Sequence, residues 1–508
     1  MIIKRGLVRA ALLLGCALSA ALAAPSSPAA GAQAETIATD STTVVSAPVL
    51  WSGGAAWADQ NGVSAATPGA AHRRLVSLKP RGYTYAFELD SASGAGPDGA
   101  LVYGWEEANN QTPPMGPGDT DVPPPPLPYE TSISYSGQIS AAGAATSLPA
   151  CAAGHGPPAF GGYRVSLSGD SAGYLCTGSP PSSPPPSASS VSSYLAVSEL
   201  ATPSVAPRMF AEVAGAFQLS GNYVAYDTAN LLGVGHVVVA ERASGVTLYE
   251  VPTQAEEDPT IALQEDGTLV LLHAGTANCA PAGGQTVDAY PAEWFSPVSP
   301  TAHQLGCFYD GSLRPVGGQW VALSPGPGTQ ASLVLLTLES GASRTLAMFP
   351  NAAMAEPQQQ PIIAGSDFNG RALTFMQQTC AGVDVQFAAD VGALAPGPAP
   401  SPHCPVQLHV HGPVRVSGKG VLHVSVSCPL GCAEIELAIA QPRQLTDERN
   451  FFALPASTAS RLESLRLTPR QLAYLRRHRR VRVTLTALSG GLGSARQSKT
   501  ALHVLLAA

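Results

Sequence analysis

Apolar and polar positions alternate through most of this chain in runs of four to eight residues, and Gly, Pro, Asn and Asp part the runs. Period-two patterning bounded by such residues predicts short β-strands rather than helices. Phe217 to Val251 shows it most clearly: Phe217–Leu219, Tyr223–Tyr226, His236–Arg242 and Val246–Val251 read as strands separated by Ser-Gly, Asp-Thr-Ala-Asn and Ala-Ser-Gly turns. A four-stranded meander of this size cannot bury both its faces. It is stable when similar units stack on either side, as in the blades of a β-propeller.

The rest of the chain follows this template. A first blade runs from VLWSGGAAWAD through Val63–Ala66 and Leu75–Leu78, and a second takes Tyr83–Asp90, Ala100–Glu107 and Thr131–Gly137. A third uses Tyr163–Gly169, Tyr174–Cys176 and Tyr194–Leu200. Phe217 to Val251 is the fourth, and Thr260–His273 opens the fifth. Leu313–Phe349 forms the sixth and is the best internal match to the fourth. Ile362–Ala364, Ala372–Gln377 and Val383–Ala388 supply three strands of a seventh. Thr42–Val45 is left over before the first blade and is expected beside Val383–Ala388, closing the ring and removing both free edges. Pro-rich inserts at Thr112–Pro128 and Pro180–Ser190 read as extended or disordered, and Ala395–His403 reads as a linker.

Beyond that linker, period-two strands resume, with Thr468-Pro469 announcing one short helix over Pro469–His478. The expected fold is all-β: residues 41–391 a propeller of about seven blades, 392–404 a Pro-rich linker, and 405–508 a sandwich. Residues 41–391 resemble a TolB-type or WD40-type propeller. VSVSCPLGCAEIELAI and LTPRQLAYLRRHRRVRVTLTAL make residues 405–508 similar to the Ig-like modules appended to secreted bacterial proteins. The WD dipeptide and Gly-His signature of WD40 repeats are missing, so that resemblance implies no partner.

Composition supports many short strands: of 508 residues only 12% are charged, with 51 Gly and 46 Pro. Residues 1–34 read as a secretion signal and processed N-terminus, with Lys4, Arg5 and Arg9 ahead of an apolar run from Ala10 to Ala24. Leu13–Cys16 resembles a lipid-attachment box, but cleavage there would split that run. No later run is long enough to span a bilayer, so a soluble protein outside the cytoplasm, extracellular or associated with the cell envelope, is expected. Charge divides the chain. Residues 405–508 hold 14 Lys/Arg against 5 Asp/Glu, leaving residues 1–404 at −17.

Apart from Cys16, eight cysteines remain, an even number that favours four disulfides in an exported chain. In an antiparallel blade the loops leaving the second and fourth strands emerge on one face. That places Cys151 near Cys176, Cys279 near Cys307 and Cys380 near Cys404, with Cys428 and Cys432 closing a small loop.

Candidate chemistry is sparse. Gly169–Gly173 matches the G-x-S-x-G elbow and resembles the GDSAG of lipase-like hydrolases, but no helix pattern follows Ser171, so a β-turn is expected. Ser366–Gly370 resembles a sialidase Asp-box turn, and Asp98-Gly99 and Asp266-Gly267 read as similar hairpins. His409, His411 and His423 are expected as solvated histidines rather than metal ligands. Asp119 and Asp121 supply too few oxygens for calcium. No catalytic, cofactor or metal residue is therefore expected. The sequence favours a secreted non-catalytic binding or scaffold protein over the alternative, a secreted propeller hydrolase or lyase acting on polysaccharide. Its partner would be an extracellular protein or glycan rather than nucleic acid. A cluster of carboxylates or histidines at the propeller centre would reverse that preference.

Overall fold

The structure, a computed structural model, describes residues 33–507 apart from 41–45, 60, 78–82, 92–99, 109–131, 141–142, 152–154, 157–163, 179–192, 203, 214, 229–233, 255–258, 274–278, 280–288, 326–329, 351–364, 398–403, 411–412, 447–448, 455–456 and 490–497. Residues 1–32 of the expected signal and processed N-terminus, the Pro-rich inserts Thr112–Pro128 and Pro180–Ser190, Asp98-Gly99, Asp119, Asp121 and His411 lie outside the described residues.

Seven antiparallel sheets follow one another along the chain. Six are built from consecutive strands, starting at Val49, Tyr83, His155, Phe217, Thr260 and Asp310; in the third, both His155–Gly156 and the inner strand Val165–Ser168 pair with Ser171–Gly178. The seventh takes Ser366–Phe368, Leu373–Gln378 and Val383–Ala388, and its outer strand is Glu35–Asp40 from the chain start. Ring closure thus falls to a segment earlier than expected. Thr42–Val45 lies outside the described residues, and the free edge of Val383–Ala388 is already taken by Glu35–Asp40, with Glu35 opposite Phe387 and Asp40 opposite Val383. Gln386 Nε2 donates to Thr36 Oγ1 at 2.7 Å, and Thr39 Oγ1 donates to Asp384 Oδ1 at 2.7 Å, fixing the register.

The propeller core lies between blades, as expected of sheets that bury both faces. Trp51, Ala58 and Val63 of the first blade pack with Leu89, Leu101 and Ile139 of the second. Comparable clusters fill each later junction. The last joins Met376 and Val385 to Ala55 and Trp57 of the first blade. Alternate residues of a strand thus face opposite neighbours, which requires apolar side chains on both sides.

Residues 407–507 form two further sheets. Gln407–His409, Val421–Cys428 and Ser457–Arg466 make one. Val414–Arg415, Ser498–Ala507, Arg480–Ser489, Cys432–Gln441 and Arg449–Leu454 make the other. Both sheets contribute to one core, including Leu422, Val424, Ile435, Leu437, Val483, Leu485 and Leu506. The helix Pro469–His478 crosses between them. Thr468 Oγ1 accepts from the Gln471 amide and Gln471 Oε1 accepts from the Thr468 amide, a capping box ahead of Pro469 at the first position.

Disulfides join Cys151 to Cys176, Cys279 to Cys307, Cys380 to Cys404 and Cys428 to Cys432, with Cα separations of 5.2 to 5.9 Å. The third ties the last blade to the start of the sandwich.

Candidate functional site: an acidic axial cavity

The innermost strands run side by side around the propeller axis, and several carry a polar residue within an otherwise apolar run. Asp90, Ser166, Gln218 and Asp367 are all buried there. Arg314, which follows the inner strand Asp310–Gly311 of the sixth blade, reaches across to them. Its Nη1 donates to Asp90 Oδ1 at 2.7 Å and to the Ser91 carbonyl at 2.8 Å. Its Nη2 donates to Asp90 Oδ2 and to the Leu167 carbonyl. Asp90 Oδ2 also accepts from the Leu167 amide at 2.8 Å and from Ser166 Oγ at 3.1 Å, while Ser166 Oγ accepts from the Leu219 amide at 2.9 Å. Asp367 Oδ2 accepts from the Leu50 amide at 2.8 Å. Side chains of the second, third, sixth and seventh blades, with main-chain amides of the first and fourth, are therefore connected through one polar hub, which Ser91 Oγ links to Asp367 Oδ2 at 3.4 Å.

Burial works against the charged form of Arg314, but Asp90, with Asp367 and Glu265 behind it, outweighs burial and raises the guanidinium pKa further. Burial likewise raises the pKa of Asp367, with Arg314 pulling the other way. The Asp90–Arg314 pair has side chains only 2% and 3% exposed, so neither partner can lose the other without leaving an uncompensated charge.

Arg314 lies between two cavities. One, of about 270 Å³, is lined by Ser46–Val49, Glu88–Asp90, Arg164, Asp310, Gly311, Leu313, Arg314 and Gly365–Asp367. The other, of about 390 Å³, is lined by Ser220, Gln264–Asp266, Arg314–Gly317 and Asn369. Most of the first set precede or begin inner strands, whereas the second set lie where inner strands end. The cavities therefore open on opposite faces of the ring, and Arg314 separates them.

The first cavity gathers four carboxylates, Glu88, Asp90, Asp310 and Asp367, against two guanidiniums, Arg164 and Arg314. Asp90 is held in an ion pair by Arg314, whereas Asp310 is governed by burial and by main-chain amides. Burial pushes its carboxyl up to about 6, against amide hydrogen bonds from Gly311 and Gly365 that lower it. Such a group holds a proton across mildly acidic pH and can donate it. Loops from second and fourth strands reach the same face, so Cys151–Cys176, Cys279–Cys307 and Cys380 ring the side on which this cavity opens.

The motifs singled out in the sequence lie elsewhere or behave differently. Gly169-Asp170 is a two-residue turn with Gly169 at φ 58°, and Ser171 is buried with its Oγ donating to Glu199 at 2.6 Å. Asp266 does sit in a turn, accepting from the Thr268 amide at 2.9 Å. Asp367 does not: it belongs to the inner strand Ser366–Phe368 and faces the hub. His409 contacts Ser427 Oγ at 2.9 Å. Among the described residues no group of three or more His, Cys, Asp and Glu is arranged to hold a metal, and no helix is long and apolar enough to cross a membrane. Sequence reasoning missed Glu88, Asp90, Asp310, Arg314 and Asp367 as a group. The available sign was an acid inside an apolar inner strand, as in YAFELD.

Seven blades around a carboxylate-lined axis, followed by a two-sheet domain, define the class to which the chain belongs by architecture. No family model matches the chain, and no curated protein matches it. Solved structures do. A mutant of puromycin hydrolase complexed with PGG is 13% identical with a TM-score of 0.43, covering 77% of this chain and 59% of its own. A puromycin-hydrolyzing peptidase from Mycobacterium tuberculosis is 12% identical with a TM-score of 0.42, covering 78% and 62%. The β-propeller domain of the Trilobed protease from Pyrococcus furiosus is 8% identical with a TM-score of 0.38, covering 75% and 97%. The chain spans less than two thirds of the length of the two puromycin-hydrolysing proteins. The likeness is one of fold.

The expectation of a non-catalytic scaffold is corrected here. The axis carries the carboxylate cluster that separates the two readings. The physical reason for the miss is that the cluster is assembled across blades and leaves no local motif.

Proposed function

We propose that the chain is an exported hydrolase that works by carboxylate acid–base chemistry in the axial cavity, on the glycosidic bonds of a polysaccharide. In this reading the propeller is TolB-like and the C-terminal domain Ig-like, and the disulfides fit an oxidising compartment. The observation that carries the proposal is Asp310. It is a carboxyl raised to about 6 at the wall of a cavity that holds a second carboxylate, Glu88. Hydrolysis of a glycoside needs one carboxyl that donates a proton to the leaving oxygen and another that serves as base or nucleophile. Asp310 fits the first role, and Glu88, on the wall of the same cavity, the second. The cavity has two more acids than arginines, which favours neutral or amino-bearing sugars over polyanions.

The test is release of reducing ends from a panel of neutral and amino-bearing polysaccharides, with unsaturated sugar ends scored separately and peptide substrates in parallel. Activity is expected on one of the glycans, with a limb that falls as pH rises through about 6, because the acid must be protonated. Asp310→Asn is expected to lose at least a hundredfold in kcat with an unchanged melting temperature. Peptide cleavage without glycan cleavage, or full activity in Asp310→Asn, would overturn the reading.

A further inference from the structure

The sandwich presents a second surface, unrelated to the axial cavity. Along Arg480–Ser489, Val483, Leu485 and Ala487 enter the core. The alternate positions Arg480, Arg482, Thr484 and Leu488 therefore face outward, while Thr486 of the same row is covered. Register carries this face across the sheet: Arg480 lies opposite Ala507, which lies opposite Arg415, and Leu488 lies opposite Lys499 on one side and Glu436 on the other. Arg415, Arg480, Arg482 and Lys499 are all exposed. Arg449 is paired with Glu436 at 3.0 Å, which neutralises that acid. An open groove of about 670 Å³ crosses the face beside Arg443, Arg482, Thr484 and His503. Thr484 Oγ1 and His503 Nδ1 lie 3.0 Å apart in it.

We infer that this face binds an acidic polysaccharide. Arg480 and Arg482, two residues apart on one strand, stand about 7 Å apart, and Arg415 and Arg480, two strands apart, about 10 Å. Separated cations of this kind meet charges that recur along a polymer better than they meet one compact anion. Phe451, 51% exposed, shares the row of Glu436 and Leu488 and offers a ring on which the C–H face of a sugar can rest. Phosphate recognition alone would not need it. The net charge of residues 405–508, +9, opposes that of residues 1–404. The two domains thus select different ligands: the basic face holds an acidic polymer, and the acidic cavity excludes it. The inference stands whether or not the cavity is catalytic.

The test uses the full-length chain on columns of immobilised alginate and of immobilised dextran, eluted with a salt gradient. Retention on alginate and passage through dextran are expected. The double variant Arg480→Glu/Arg482→Glu should bind alginate at least tenfold more weakly with an unchanged melting temperature, while Asp310→Asn should bind like the parent. Equal retention on both columns, or a double variant that binds as tightly as the parent, would overturn the proposal. So would tighter retention on an immobilised oligonucleotide than on alginate. Self-association that the double variant abolishes would do the same, assigning the face to the acidic propeller of a second copy.

Discussion

Arg314 and Asp90 show why single residues at the axis matter more than their number. Removing a buried charge leaves its partner uncompensated, at a cost of about 3–5 kcal/mol, whereas replacing both with apolar residues of similar volume is often neutral. Arg314→Met is expected to lower stability by about that amount, and Arg314→Met/Asp90→Leu to recover a good part of it. Urea denaturation curves of the two variants and the parent decide this. A double variant no better than Arg314→Met would mean that the hydrogen bonds from Ser166 and Leu167 to Asp90 carry the stability instead. None of this is legible locally. Asp90 and Arg314 are 224 positions apart, and each looks like an ordinary turn or strand-end residue in its own stretch. Asp367 was misread for a related reason: Ser366–Gly370 has the composition of a turn, and only the burial of its carboxylate beside Arg314 tells otherwise.

Blades were legible where a strand is long enough to show its period and is bounded by turn residues. The fourth blade meets both conditions, and its strands Phe217–Ser220, Tyr223–Thr228, Val234–Glu241 and Thr247–Gln254 lie close to their expected positions. Asp310–Gly311, the inner strand of the sixth blade, is two residues long and has no readable period. Arg208–Val213, the outer strand of the third, follows a stretch rich in Pro and Ser and is not among the three strands expected for that blade. Glu35–Asp40 was hidden by position, since it sits directly after the expected processed segment and far from the blade it completes. Deleting residues 33–40 is expected to expose the edge of Val383–Ala388 and to raise cleavage of the seventh blade by a broad-specificity protease at least fivefold. A free-edge blade would also pair with other chains, so light scattering should show oligomers. Unchanged protease resistance would show that the packing of Trp57 against Met376 and Val385 suffices to hold the ring.

Across the whole molecule, an acidic ring and a basic sandwich are joined by Cys380–Cys404. That bridge encloses the final propeller strand, and its sequence separation of 24 corresponds to about 3 kcal/mol of restriction on the unfolded chain, a model-dependent figure. In Cys380→Ser/Cys404→Ser, differential scanning calorimetry should show the propeller transition lowered and the sandwich transition in place. A joint shift of both would mean that the two domains unfold as one. The strand at Glu35 has a further consequence for how the molecule is made. Gln386 and Thr36, which hydrogen-bond in the closing blade, are 350 positions apart, and contacts so distant in sequence form late because the intervening loop must first be drawn in. A chain that leaves a pore N-terminus first would carry its opening strand unpaired through the making of six blades. It could become a ring only when Val383–Ala388 had followed it through.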